Sequence, residues 1–244
     1  MALLEVKDLQ MYYNTLRGRV RAVDSVNFAI QRGKALGIAG ESGCGKSSMA
    51  SALMRLLPGN GAYHGGGVFM DGQNLLEMPE EEFRKSIRWK RISMIFQGAM
   101  NALNPVHRVG DQIVEAMLSH ENISRKDAVS RAKELLQLVG INPERYGEYP
   151  HEFSGGMKQR SVIAMSLACH PDLIIADEPT TALDVMVQAQ ILKAMGELRE
   201  RLGLSMMLIT HDLSVIAQTC DTVAIMYAGK IVEYGDVTDI YTNP

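Results

Sequence analysis

Short apolar runs alternate along the chain with segments in which apolar residues recur at every third or fourth position. The runs predict buried strands at residues 35–39, 91–96, 173–176 and 204–209. Helical spacing is plainest after residue 184, where Ile191, Met195 and Leu198 share one face. Because such strands alternate with helices, we expect an α/β fold built on a parallel sheet.

Two segments depart from this alternation. Val26, Phe28 and Ile30 occupy alternate positions before residue 40, a strand with one buried face, which indicates a small antiparallel β lobe. In residues 98–153, a capping box at Ser124 and a closing Gly140 indicate a mostly helical insert. We therefore expect one domain over residues 1–244, in which 98–153 form a helical subdomain and 1–97 with 154–244 form the core and its β lobe.

The segment that follows the first core strand matches the phosphate-binding pattern Gly-x-x-x-x-Gly-Lys-Ser/Thr. It consists of Gly40, Glu41, Ser42, Gly43, Cys44, Gly45, Lys46 and Ser47, with Ser48 next. The glycines let backbone N–H groups turn inward toward phosphate oxygens. Lys46 adds a charge for the β- and γ-phosphates, and the Ser47 hydroxyl is a ligand for Mg²⁺. A strand precedes this P-loop and helical spacing continues to Pro58, so we predict a nucleotide-binding site.

Polar residues also end other core strands. Asp177 and Glu178 follow an apolar strand, where Asp177 can hold Mg²⁺ and Glu178 can polarise an attacking water. The amide of Gln97 can coordinate the same Mg²⁺ or the water, although a surface glutamine is the simpler interpretation. His211 can bond the γ-phosphate, and a structural histidine is an equal alternative. Since ligands gather at the carboxyl ends of parallel strands, we expect these residues and the P-loop to form one site.

Ser154, Gly155 and Gly156 open a helix and form a second anion-binding N-terminus. One chain needs only one such site for a γ-phosphate. The second therefore suggests a phosphate presented by another molecule.

Composition narrows the class of protein. The chain has 25 basic and 28 acidic residues and a net charge of −3, without the clustered positive patch of a nucleic-acid-binding surface. No apolar run reaches the roughly 18 residues of a membrane span, and the N-terminus lacks a signal-peptide pattern. Three isolated cysteines show neither metal-site nor disulfide spacing. We expect a cytoplasmic protein that borrows any membrane role from a partner.

These motifs, in this order, resemble the ATPase subunit of an ATP-binding cassette (ABC) transporter. Besides the P-loop and Gln97, the resemblance rests on FSGGMKQR from residue 153, LIIADEP from 173, TALD from 181 and ITHD from 209. It implies a RecA-like core that binds and hydrolyses ATP with Mg²⁺. It also implies that two cassettes pair head to tail, each ATP lying between one P-loop and the Ser154–Gly155–Gly156 segment of the partner.

The resemblance implies further roles. Tyr13 matches the aromatic residue that stacks on adenine, with Tyr12 as the fallback and lobe core as the alternative for both. Glu178 matches the catalytic base, His211 the switch histidine, and Asp184 an aspartate that contacts the partner cassette. The helical insert is implied to hold membrane subunits, with Gln97 at the hinge that senses the nucleotide.

A narrower resemblance is to importers of dipeptides and oligopeptides. It rests on the run MNALNPV from residue 100, on GDQI from 110 and on YPHEFSGGM from 149. Such importers pair two different ATPase subunits with two permeases and an extracytoplasmic binding protein, at the cytoplasmic face of the membrane. Members usually continue into a C-terminal extension, which we expect to be absent here. Peptides, nickel and oligosaccharides are all possible solutes.

Three other functions are open to such a chain. A soluble ABC ATPase in DNA repair or translation typically carries coiled-coil insertions or two cassettes, and neither is visible. A GTPase switch needs an Asn-Lys-x-Asp motif, which the sequence lacks. A non-hydrolytic cassette is disfavoured by Glu178 and His211, although Met157, in place of the more usual glutamine, leaves the partner's site less certain.

Overall fold

The computed structural model describes residues 2–181 and 183–242. Ala182 of the TALD motif and the ends of the predicted 1–244 domain lie outside the described residues. By the density of their internal contacts, the residues divide into two compact units, Met1–Arg84 with Ser205–Pro244 and Lys85–Leu204. These are called unit 1 and unit 2 below. The helical subdomain expected at residues 98–153 is defined by sequence motifs, whereas these units are defined by compactness. That subdomain boundary stays a prediction.

The secondary structure follows the alternation that the sequence predicts. In chain order the elements are β1 (Ala2–Thr15), β2 (Gly18–Gln31), β3 (Ala35–Ala39), α1 (Lys46–Leu53), β4 (Gly61–Met70), β5 (Gln73–Asn74), α2 (Glu80–Ser86), β6 (Ile92–Ile95), α3 (Val109–His120), α4 (Arg125–Leu138), α5 (Gly155–Ser166), β7 (Leu173–Asp177), α6 (Val185–Leu202), β8 (Ser205–Ile209), α7 (Leu213–Thr219), β9 (Thr222–Tyr227), β10 (Lys230–Asp236) and α8 (Val237–Thr242). Short 3₁₀ turns lie at Ala99–Ala102, Pro143–Gly147 and Pro150–Glu152.

Unit 1 contains the antiparallel lobe. Its strands lie in the order β2-β1-β4-β5. Val6 pairs with Phe28 on one side and with Val68 on the other, so apolar side chains from three strands meet on one face. Burial of that face stabilises the lobe because strands present alternate residues to opposite sides.

The remainder of unit 1 is the core around β3. This strand is fully buried and pairs in parallel with β8 and β9, whereas β10 runs antiparallel to β9. Helix α7 packs close to it: a Cβ added at Gly37 would lie 2.5 Å from Cγ2 of Ile216. A strand buried on both faces reads as continuous apolar sequence, which is why the sequence identifies it.

Unit 2 combines a parallel strand pair with helices. β6 pairs in parallel with β7, with Ile95 opposite Ala176. The Ser124 hydroxyl caps α4 by accepting from the Asp127 N–H, and Asp184 caps α6 by accepting from Val187. Gly203 ends α6 in the left-handed conformation, at φ 65°.

The helix after the P-loop is shorter than its apolar spacing predicts. α1 ends at Leu53, and Arg55 adopts a positive φ of 53°. The Arg55 guanidinium donates to the carbonyls of Leu75 and Met78, at 3.2 and 2.6 Å, and lies over the Phe83 ring. These contacts with distant residues turn the chain at Arg55, three residues before Pro58.

Candidate functional site

The P-loop joins the end of β3 to the start of α1. Gly40, Gly43 and Gly45 have φ angles of 152°, 80° and 112°, which L-residues with a Cβ rarely adopt. Lys46 is buried, and its Nζ donates to the carbonyl oxygens of Gly40 at 2.7 Å and Glu41 at 2.8 Å. The loop therefore curls around its own lysine, as a phosphate cradle requires.

Two of these glycines are required by close neighbours as well as by φ. A Cβ at Gly45 would lie 2.1 Å from the carbonyl oxygen of Ala22, and one at Gly40 would lie 2.1 Å from that of Met226. At Gly43 a Cβ would meet nothing within 4 Å. The loop is thus shaped by backbone contact at both ends.

The two adjacent tyrosines have different environments. Tyr12 is buried, stacks on His64 at a centroid distance of 4.6 Å and donates to Asp24 at 2.7 Å. That hydrogen bond raises the pKa of the Tyr12 hydroxyl. Tyr13 is half-buried, and its hydroxyl donates to Ser48 Oγ at 3.0 Å. Because Tyr12 is committed to the lobe, Tyr13 stays the predicted adenine-stacking residue.

His211 follows the end of β8 in unit 1 and is exposed. β8 is parallel to β3, with Ile38 opposite Ile209, so the P-loop and His211 both follow the carboxyl ends of paired strands. The next residue, Asp212, accepts from the N–H groups of Ser214 and Val215 and begins α7. His211 is therefore placed by a strand on one side and a capped helix on the other.

In unit 2 the structure brings two predicted residues into direct contact. The Gln97 Nε2 donates to Glu178 Oε2 at 2.8 Å. The pairing of β6 with β7 explains the contact, since Gln97 and Glu178 lie just beyond the ends of those two parallel strands. Asp177, the last residue of β7, is buried at 3% exposure.

The sequence reasoning missed Thr181. Its hydroxyl donates to the same Glu178 oxygen at 3.1 Å, and its N–H donates to the Glu178 carbonyl at 3.2 Å. Glu178 itself has a positive φ of 46°, a conformation that costs a residue with a side chain about 1–3 kcal/mol. A hydroxyl residue three positions after the carboxylate, across a proline turn, is the signal that could have identified it.

The second predicted anion site begins α5. Ser154 caps the helix by accepting from the Met157 N–H at 3.3 Å, and Ser154 and Gly155 are exposed. A Cβ at Gly155 would lie 3.3 Å from Leu183, whereas one at Gly156 would lie 2.8 Å from Val187. The Met157 sulfur accepts from Arg145 at 3.2 Å. The helix start therefore presents its backbone without an obstructing side chain.

A protein cage for a metal is not found among the residues that the structure describes. No cluster of three or more His, Cys, Asp or Glu side chains with metal-binding geometry occurs among residues 2–181 and 183–242. Mg²⁺ usually binds through one or two protein oxygens together with waters and phosphates. The Ser47 hydroxyl, the Asp177 carboxylate and the Gln97 amide are hard oxygen donors of that type, so the residues fit the ion. Within the same described ranges, no helix is long and apolar enough to cross a membrane.

A buried strand, a glycine loop wrapped around a lysine and a following helix define a P-loop nucleotide-binding protein. Residues 23–181 match the family described as ABC transporter. The chain is 52% identical over 245 residues to a probable peptide ABC transporter ATP-binding protein of Sinorhizobium fredii, covering 99% of this chain and 73% of that protein. It is 49% identical over 246 residues to the oligopeptide transport ATP-binding protein OppD of Escherichia coli, covering 100% and 72%.

Solved structures with a similar fold are also ABC cassettes. A dimeric ATP-binding cassette in a post-hydrolysis state, bound to ADP and Pi, matches with a TM-score of 0.84 and 26% identity over 96% of this chain and 98% of that one. CbiO1 of Clostridium perfringens, part of an ABC transporter complex, matches with a TM-score of 0.86 and 26% identity over 99% and 91%. The chain belongs to the ABC transporter family and is one of its ATP-binding, ATP-hydrolysing cassettes. The predicted fold class and enzyme class are confirmed.

Proposed function

We propose that this ATPase energises the import of dipeptides, oligopeptides or a related solute through partner permeases. The solute class rests on one observation: near 50% identity extends over 99% or more of the chain to ATP-binding proteins named for peptide or oligopeptide transport. The same relatives favour this function over the alternative, a soluble ABC ATPase in a role other than transport.

ATP binding is assigned to unit 1. Lys46 exchanges its bonds to the loop carbonyls for the β- and γ-phosphates, since its ammonium group already lies inside the cradle. Ser47 supplies an oxygen to Mg²⁺, which when bound neutralises phosphate charge. Tyr13 stacks on adenine, and its hydrogen bond to Ser48 fixes the ring relative to the first turn of α1.

Hydrolysis is assigned to polar residues that follow the ends of core strands. Glu178 accepts the proton of the attacking water, and His211 bonds the γ-phosphate. Asp177 and Gln97 are the remaining oxygen donors for Mg²⁺. The hydrogen bond between Gln97 and Glu178 supports a coupling of the two residues, because a movement of the Gln97 amide would also move or release the assigned base.

Ser154, Gly155 and Gly156 are assigned to the ATP of a second cassette, a different chain in the native assembly. One of the matching structures is a cassette dimer that contains ADP and Pi, which supports a paired arrangement. The open helix start supports it independently, because a phosphate can approach N–H groups that carry no neighbouring Cβ. ATP then favours the closed pair, and loss of the γ-phosphate favours reopening.

The permeases are assigned to a groove of unit 2. It has a volume of about 360 Å³ and is lined by residues that include Trp89, Asn104, His107, Gln112, Glu115 and Met165. Trp89 stacks on His120 at 5.6 Å, and Val106, which precedes the lining residue His107 in the chain, is 73% exposed. A groove lined by both apolar and polar side chains suits a short amphipathic helix of a membrane subunit. The protein would then lie at the cytoplasmic face of the membrane as a peripheral subunit.

Co-purification tests the transport assignment. The tagged chain is expressed in its native host, and the membrane fraction is solubilised. We expect a complex with two permeases whose ATP turnover rises with a peptide-loaded binding protein. Recovery of the chain without permeases, with unstimulated turnover, would favour the soluble alternative. In either case Lys46→Ala should abolish ATP binding, so a binding-competent Lys46→Ala chain would refute the assigned nucleotide site.

A further inference from the structure

The outer side of the P-loop rests against two backbone segments of unit 1 that the assigned site does not use. They are residues 21–24 of β2 and residues 226–229 at the β9–β10 turn, and together they are called the P-loop brace. Each segment touches the loop through main-chain atoms: Ala22 beside Gly45, Met226 beside Gly40, and Gly229 at Cys44. The brace thus contacts the cradle without belonging to it.

Two hydrogen bonds join the brace to the loop and to itself. The N–H of Gly229 donates to the Cys44 carbonyl at 2.8 Å, and the N–H of Asp24 donates to the Gly229 carbonyl at 2.8 Å. In a trans peptide the C=O and N–H point in opposite directions. By holding the Cys44 carbonyl, Gly229 directs the Gly45 N–H to the opposite side of that peptide, away from the brace.

Close packing leaves the loop no room to shift outward. The carbonyl oxygen of Ala22 occupies the space beside Gly45, and that of Met226 the space beside Gly40, each 2.1 Å from where a Cβ would stand. Gly229 is itself confined, because a Cβ there would lie 2.5 Å from the Arg21 carbonyl oxygen. A small displacement of the brace would therefore be passed directly to the loop.

Asp24 anchors the brace through its side chain. The carboxylate is 9% exposed, accepts from the Tyr12 hydroxyl at 2.7 Å, and lies 3.6 Å from Arg21 and 3.8 Å from Lys230. A buried carboxylate is stable only with such partners. Tyr12 is the neighbour of Tyr13, the assigned adenine-stacking residue, so Asp24 connects the adenine side of the site to the phosphate side.

We propose that Asp24 and Gly229 are positioning residues for nucleotide binding: through the brace they hold the P-loop in its phosphate-binding shape. The proposal rests on the assigned P-loop site and adds residues that do not touch ATP. It requires that damage to the brace weaken the binding of tripolyphosphate, which has no adenine, as well as the binding of ATP.

Gly229→Ala tests this with a matched control in the same unit. Gly229 and Gly72 have nearly the same φ, 82° and 84°, but a Cβ at Gly72 meets nothing within 4 Å. Both substitutions carry the same backbone strain, and only Gly229→Ala displaces the brace. Affinity is measured on the purified chain by displacement of a fluorescent ATP analogue with ATP and, separately, with inorganic tripolyphosphate. We expect Gly229→Ala to lower the affinity for both competitors about tenfold, which corresponds to the loss of roughly one hydrogen bond to phosphate. Gly72→Ala should change these affinities less than about twofold.

A second pair of variants keeps the test decisive if Gly229→Ala does not fold. Asp24→Ala removes the nearer of two acceptors of the Tyr12 hydroxyl, the other being Gln10 at 3.2 Å, whereas Asp24→Asn keeps an amide oxygen in the same place. We expect Asp24→Ala to lower the affinity for both ATP and tripolyphosphate, and Asp24→Asn to retain most of it. The proposal would be overturned if the two Asp24 variants had equal affinities, or if the two glycine variants did.

Two further outcomes separate this inference from the assigned site. A loss of ATP affinity in Asp24→Ala with unchanged tripolyphosphate affinity would also overturn the proposal, because it would place the effect on the adenine side alone. Lys46→Ala is measured alongside. If it retains ATP binding, the assigned P-loop site itself is wrong; if it loses binding while the brace variants match their controls, only the brace is wrong.

Discussion

Replacing Thr181 with valine removes one hydroxyl from the surroundings of the assigned catalytic base. Valine has nearly the same shape as threonine, so the turn between Glu178 and Thr181, held by a 3.2 Å backbone hydrogen bond, is retained. What is lost is the donor 3.1 Å from Glu178 Oε2. The Gln97 amide then holds that oxygen without help from Thr181, and Glu178 keeps a strained backbone, at φ 46°, with one restraint fewer.

The size of the effect follows from that bond. A hydrogen bond to a charged group contributes about 1.5–3 kcal/mol net. The value here belongs at the lower end because Thr181 is exposed and water can replace part of the bond. Since about 1.4 kcal/mol corresponds to a factor of ten in rate, we expect kcat to fall about tenfold. KM for ATP should stay unchanged, because Thr181 orients the base and does not hold the nucleotide.

The assay is steady-state ATP turnover by the assembled transporter in detergent or nanodiscs. Thr181→Ser is the matched control, because it keeps the hydroxyl and loses a methyl group, and it should retain most of the turnover. A wild-type kcat in Thr181→Val would refute the positioning role. So would an equal loss in both variants, which would point to packing of the methyl group instead.

Three other predictions follow from the two units. Glu178→Gln should nearly abolish ATP turnover while ATP-dependent pairing persists, measured by phosphate release and by size-exclusion chromatography; undiminished turnover would exclude Glu178 as the base. Tyr13→Ala should weaken ATP about tenfold, as loss of a stacked ring predicts, and leave tripolyphosphate affinity unchanged in the competition assay. The Tyr12 hydrogen bond lowers the pKa of Asp24 below its usual value, so this carboxylate stabilises the fold above about pH 4 and the stabilisation is lost as the pH falls through its lowered pKa. Asp24→Asn should therefore flatten the acid limb of the unfolding free energy between about pH 5 and pH 2, and a slope equal to wild type in urea titrations would contradict that assignment.

Much of the fold could be predicted from local pattern. β3 and β7 are buried on both faces and read as continuous apolar runs. The caps at Ser124 and Asp184 are local signals, because the capping oxygen and the N–H it accepts from lie three residues apart. The P-loop could be predicted for the same reason, since its glycines and lysine act within eight consecutive residues.

Features that depend on distant residues could not be predicted. α1 ends early because Arg55 reaches the carbonyls of Leu75 and Met78. The contact between Gln97 and Glu178 joins residues 81 positions apart, and that between Asp24 and Gly229 spans most of the chain. A single sequence gives no signal for such pairs, because nothing in the local sequence around either partner indicates which distant residue the fold will place beside it. The short helices α7 and α8 were missed for a simpler reason: seven and six residues carry too little periodicity.

The central claim is that the P-loop is half of an ATP site and that Ser154, Gly155 and Gly156 of a second cassette complete it. Gly155→Asp tests it directly. A Cβ at Gly155 meets Leu183 at 3.3 Å, a contact that small adjustments relieve, so the chain itself tolerates a side chain there. The added carboxylate would instead face the phosphate of the partner's ATP and repel it.

The decisive measurement is ATP turnover by the assembled transporter carrying Gly155→Asp, with ATP affinity of the isolated variant chain determined in parallel. The account predicts unchanged affinity and a loss of turnover of about a hundredfold or more, the scale of removing a principal transition-state contact. Normal turnover in the assembled transporter would contradict the two-cassette site.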